Sequence, residues 1–129
     1  MEYLLDENLS KYLARILAIV YKPRVFHTME SLQFKGHSDL YWIPRAAQRT
    51  PKPLILTNDT RMRKNLQELQ ALKTAGLTVF IFKNLSNYQL AEQAWRLIRI
   101  LPRVEEYAQE YPACIMEVNA NTRNIQIKA

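Results

Sequence analysis

The sequence predicts an α/β fold: a three-layer α/β/α domain with a mostly parallel central sheet and a C-terminal β-hairpin. Three observations carry this. Short apolar runs (YLL at 3–5, VFHTM at 25–29, LILT at 54–57 and LTVFIF at 77–82) alternate with amphipathic stretches long enough to serve as helical crossovers. Two of those runs stop abruptly at an aspartate, as strands do when their C-terminal ends open on a site. The 129 residues suit one domain, 1–129, with a core over about 1–112 and the hairpin over about 113–129; no repeat or linker divides the chain.

The elements follow in order. The run Tyr3-Leu4-Leu5 reads as a buried strand that delivers Asp6 at its end. Ser10 is a helix start, and Leu13, Ile16, Leu17 and Val20 recur at helical spacing with Lys11 and Arg15 facing outward; Pro23 closes that helix. The 25–29 run is a second strand. Gly36 makes a turn, and Ser38 or Asp39 starts a helix through Trp42, Ile43, Ala46 and Ala47, with Pro44 expected to split or kink it. The 54–57 strand leads to Asp59. A helix over about 61–75 then carries Leu66, Leu69 and Leu72 on one face and ends at Gly76. After the 77–82 strand, Ser86 or Asn87 caps a long helix that Pro102 is expected to break. The tail CIMEVNANTRNIQIKA alternates around a polar turn, the pattern of a hairpin. Its outer strand would be an exposed edge able to pair with a partner.

Composition removes several function classes. With one cysteine, Cys114, the chain has no intramolecular disulfide and no Cys-rich zinc site, and it reads as a small buried apolar group. No apolar run is long enough for a membrane span, and acids stand where a signal peptide carries basic residues, so a cytoplasmic protein is expected. Two glycines cannot build a phosphate-cradling loop, and no His pair has metal-ligand spacing. His27 and His37 read as a strand and a loop residue. The formal net charge of +6 favours a polyanionic partner such as nucleic acid.

Within that positive field the acids matter. Asp6 and Asp59 both follow apolar strands, so a parallel sheet brings them to one rim; Asp39, after Gly36, is able to reach it. Oxygen-only donors suit Mg²⁺ or Mn²⁺, which bind through one or two carboxylates together with waters and substrate phosphates. Each acid also has an ordinary structural reading, as a helix N-cap. Trp42 and Trp95 read as core or interface residues, and the Tyr41-Trp42 pair lies close enough to the rim to stack on a base.

The segments YLLDENLS, GHSDLYWIPRA, LILTNDTRMRKNLQEL and GLTVFIFKN, taken in that order, resemble PIN-like domain proteins related to VapC-type toxin ribonucleases, over about residues 3–118. The resemblance implies a metal-dependent endoribonuclease, the toxin half of a type II toxin–antitoxin pair, with Asp6, Asp39 and Asp59 as catalytic and metal-holding acids. One departure stands out. Many relatives carry a second acid two positions after the T-N-D aspartate, where this chain has Arg61; Glu7 and Glu68 are the candidates to replace it. Arg61 and Asn65, with Arg63 and Lys64 beside them, then read as substrate-binding groups for phosphate or base. The expected partners are RNA as substrate, an antitoxin protein and a second copy of the chain in a homodimer, with no membrane. A depleted acid set also permits a catalytically weak module that binds RNA or a partner protein.

Overall fold

Side chains alternate across a strand, so each apolar run must bury two faces unless one meets water. Here both are buried. The computed structural model describes residues 1–129. The chain forms β1 (Glu2–Leu5), α1 (Lys11–Val20), β2 (Val25–Thr28), α2 (Asp39–Ala47), β3 (Leu54–Thr57), α3 (Leu66–Ala75), β4 (Val79–Lys83), α4 (Leu90–Glu110), β5 (Ile115–Asn119) and β6 (Ile125–Ile127). One sheet carries all six strands in the order β2-β1-β3-β4-β5-β6. Its first five strands are parallel, and β6 is antiparallel to β5. Tyr3, Leu5, Leu54, Leu56, Phe80 and Met116 pack under α1 and α4, with Leu13, Leu17, Leu97 and Val104. Leu4, Ile55, Val79, Ile81 and Ile115 pack under α2 and α3, with Trp42, Ile43 and Leu72. These are the three layers that the sequence predicts.

Several elements differ from the sequence reading, each for a physical reason. Pro44 does not split α2, which runs unbroken through it. Its missing N–H would have bonded to the Leu40 carbonyl; both residues are exposed, so water can take that acceptor. Pro102 likewise sits inside an unbroken 21-residue α4. Here the carbonyl left over is that of Ile98, and the Tyr21 hydroxyl, at the end of α1, donates to it. A partner distant in sequence thus replaces the lost helix bond.

The helix expected over 61–75 is shorter. Residues Met62–Lys64 form one 3-10 turn, Asn65 is the N-cap, and its side chain accepts from the Glu68 N–H at 3.1 Å. Leu66 therefore falls on the outside of the helix, 80% exposed. Gly76 closes α3 at φ 69°, a conformation that costs a residue with a Cβ. Gln89, rather than Ser86 or Asn87, occupies the N-cap position of α4. The tail is more than an appended hairpin. Strand β5 is buried and pairs with β4 over its whole length, so it belongs to the core of the sheet. No helix is long and apolar enough to cross a membrane.

The chain starts in β1, moves to the β2 edge, and then returns to place β3 on the other side of β1. The order therefore reverses between β1 and β3, and ligand sites of open parallel sheets form outside the strand ends at such a point.

Candidate active site at the strand ends

Register sets the first contact. Leu5 lies beside Leu56, so the next residues, Asp6 and Thr57, are neighbours. The Asp6 N–H donates to the Leu56 carbonyl at 2.9 Å and extends the ladder by one bond. The fully buried Thr57 hydroxyl donates to Asp6 Oδ2 at 2.9 Å and accepts from the Asp59 N–H at 3.0 Å. One hydroxyl thereby ties the ends of β1 and β3 together, using its donor and one of its acceptor lone pairs. Asp6 Oδ1 accepts from the Glu7 N–H at 2.8 Å. Asp6 is only 8% exposed, and burial pushes its carboxyl up to about 6. The Thr57 and Glu7 bonds act against that rise, while the nearby Asp39 and Asp59 charges add to it.

Two helices bring the other acids. Asp39 is the first residue of α2 after its N-cap Ser38, where the helix macrodipole favours a negative charge. Its Oδ1 accepts from the Trp42 indole N–H at 2.8 Å. Glu68 sits in the first turn of α3, which packs against α2. Its carboxyl is held up to about 7, first by burial, then by the Asp39 carboxylate beside it, with Asp59 and Asp6 contributing less. A proton on Glu68 is placed to be shared with Asp39. Asp59 Oδ1 accepts from the Arg61 N–H at 3.0 Å and from Arg61 Nε at 3.1 Å. Four carboxylates from four elements thus lie within electrostatic reach of one another at a single rim.

The rim is not a ready-made cage, because no three His, Cys, Asp or Glu side chains converge closely enough to hold an ion. The donor set nevertheless suits a hydrated hard cation. All donors are oxygens, and their mutual repulsion holds two of them partly protonated near neutrality, which a divalent charge would relieve. Mg²⁺ in particular keeps several waters and needs only one or two carboxylates.

The remaining candidates separate. Glu7 is exposed and, with Asp6, Lys11 and Lys35, lines a recess of about 230 Å³ beside the rim. Arg61 projects into solvent, tethered only to Asp59. Lys64 is exposed. Asn65 spends its side-chain oxygen on the α3 cap, leaving its amide N–H groups free of that bond. Arg63 turns away from the rim: its Nε lies 2.8 Å from Glu117 Oε2, and Lys83 Nζ lies 3.3 Å from Oε1. Trp42 is buried and supports Asp39 instead of offering a stacking face. The Tyr41 ring already carries His37 at 3.9 Å and the Arg45 guanidinium at 3.7 Å.

The sequence reading missed Thr57 and Glu117. Thr57 was signalled by a hydroxyl at a buried strand end, one residue from the rim. Glu117 was signalled by an acid inside the apolar run IMEV, where it is 5% exposed and must be paired.

Residues 1–84 match the family model described as PIN like domain. The chain belongs to the PIN-like domain family. No curated protein and no solved structure matches it. The PIN-like fold is a nuclease-type fold, and the matched residues include Asp6, Asp39, Asp59 and Glu68. They end at Asn84, just after β4, so α4, β5 and β6 of this PIN-like protein lie beyond the match.

Proposed function

We propose that this PIN-like protein is a Mg²⁺- or Mn²⁺-dependent endoribonuclease. The observation that carries the reading is the coupling of Asp6, Asp39, Asp59 and Glu68 at the reversal point of a PIN-like sheet. Asp6, Asp39 and Asp59 would hold the ion, which supplies Lewis-acid polarisation of the phosphodiester and a more acidic attacking water. Glu68, titrating near neutrality, takes the water's proton and returns one to the leaving oxygen. Thr57 keeps Asp6 and the Asp59 backbone in register. Arg61, tethered at one point and otherwise solvated, swings to the scissile phosphate and neutralises its charge. RNA is the substrate class, in keeping with the net charge of +6. An antitoxin covering the rim, and a homodimer, are the protein partners this reading implies.

The test is cleavage of a broad RNA panel with Mn²⁺. Asp59→Asn and Asp6→Asn are expected to lower the rate by at least about 100-fold, with the circular dichroism spectrum unchanged. Unaltered cleavage by a folded double variant would overturn the proposal.

A second reading, a non-catalytic module, is favoured by the Arg61 guanidinium on Asp59 and by the unformed cage. Calorimetric titration with Mn²⁺ separates the two. Heat that disappears in Asp59→Asn supports the enzyme, and no heat at millimolar metal supports the module.

A further inference from the structure

The face of α4 turned away from the core carries Trp95, Arg96, Arg99 and Arg103, recurring at helical spacing. The β5–β6 turn is moored to it. Arg96 Nη1 donates to the Ala120 carbonyl at 2.8 Å, Arg103 Nη1 donates to the Arg123 carbonyl at 2.8 Å, and the Tyr88 hydroxyl donates to Asn121 Oδ1. Between helix and turn lies a recess of about 120 Å³, whose lining includes Trp95, Arg96, Arg99, Asn121 and Arg123. At about 30 Å³ per water it has room for one phosphoryl group.

Two features of this recess are costly without a ligand. Trp95 is 51% exposed, whereas the other tryptophan, Trp42, is 2% exposed. Its ring is flanked by the Arg99 guanidinium at 5.2 Å. The only acid in the lining, Glu92, is committed to Arg96 at 3.2 Å, and Arg99, Arg103 and Arg123 form no ion pair at all. Clustered, unpaired arginines repel one another until an anion arrives, and an exposed aromatic face gains by stacking.

We propose that this recess is a second contact for single-stranded RNA, separate from the cleavage site. Arg99 and Arg123 take one phosphate there, and a base stacks on Trp95. Charge complementarity argues for the phosphate, and the exposed π-face beside it argues for a nucleotide rather than an acidic peptide. The place also fits. Ala120 directly follows β5, at the same end of the sheet as Asp6 and Asp59, and β5 is three strand spacings, about 14 Å, from β1. A strand engaged at the acids reaches the recess within a few nucleotides, crossing the end of β4 at the exposed Lys83. Choosing RNA rests on the ribonuclease reading; the recess itself does not. All its residues lie beyond the family match, so nothing in the PIN-like model supplies this contact.

The two tryptophans make a direct test. The full-length protein is titrated in EDTA with an oligouridylate of about 12 nucleotides while tryptophan emission is recorded. Trp42 is buried, so quenching reports Trp95; it is expected to saturate and to vanish in Trp95→Phe. Arg99→Ala with Arg123→Ala is expected to weaken binding about tenfold and to reduce the slope of log K against log salt by about 1.4. With Mn²⁺, Trp95→Ala is expected to raise KM for the oligonucleotide several-fold, leaving kcat and dinucleotide cleavage unchanged. Absence of quenching while the wild type binds or cuts RNA overturns the second contact alone. Quenching by an oligoglutamate peptide but not by RNA also overturns it, in favour of an acidic protein partner. Quenching without any cleavage keeps the contact and removes the nuclease reading; no binding to RNA overturns the contact.

Discussion

Asp6 sits where burial and hydrogen bonding oppose each other, and its titration reports which prevails. Desolvation lifts its pKa from an ordinary 3.8 to about 6, and Glu68 moves from 4.5 to about 7. A carboxyl whose pKa is higher in the folded protein binds its proton more tightly there. Its stabilising contribution is complete below the unfolded value and is lost as pH rises through the folded one. For these two groups the window runs from about pH 4 to about pH 7. Without metal, thermal melts are expected to show stability falling across that window, and Asp6→Asn with Glu68→Gln to flatten the fall. Saturating Mn²⁺ is expected to raise Tm at pH 7.5 and to have little effect at pH 5, where protons compete for the same oxygens. A metal effect equal at both pH values would contradict the assignment of these acids. At this scale the sequence was informative for Asp6 and Asp59, because an acid ending an apolar strand is a local pattern. The inward turn of Glu68 was not legible, because the phase of α3 is set by the Asn65 cap. The sequence offered the whole 61–75 stretch as one helix, and that phase would not have brought Glu68 to the rim by design.

The helices show where local rules stop. Proline inside a helix costs one backbone bond and leaves a carbonyl to be satisfied elsewhere. In α4 the compensation is the Tyr21 hydroxyl on the Ile98 carbonyl, supplied from the end of α1. Nothing near Pro102 in sequence announces it, which is why a break was the local expectation. A double-mutant cycle measures the arrangement. Tyr21→Phe alone is expected to cost about 1 kcal/mol in urea denaturation. Combined with Pro102→Ala, whose restored N–H can reach Ile98, the cost is expected to shrink substantially. Equal losses in both backgrounds would show that the hydroxyl matters only through packing. In α2 no such partner is needed, because Pro44 and Leu40 are both exposed.

Across the whole molecule, the order of strands and the three layers follow from alternating apolar runs and helices, and were legible from them. The identity of β5's neighbour was not. The run IMEVN looks the same whether it folds back only on β6 or also lies beside β4, and only the crossover through α4 decides. A strand that follows a long helix after another strand lies parallel to that strand in the usual right-handed unit, as β5 does beside β4. Removing residues 115–129 is therefore expected to abolish cooperative unfolding rather than trim an appendage, as judged by a urea melt followed by circular dichroism. A truncated chain that still melts sharply would mean that the sheet closes at β4.

That pairing has a consequence for the family segment itself. A polypeptide ending at residue 84 would present Val79–Phe82, apolar on both sides, as a raw flank of unpaired amides and carbonyls. Two such fragments would zip together along it, or stack into insoluble ladders. The residues after the match thus act as a built-in guard, shielding during synthesis the stretch most prone to self-association.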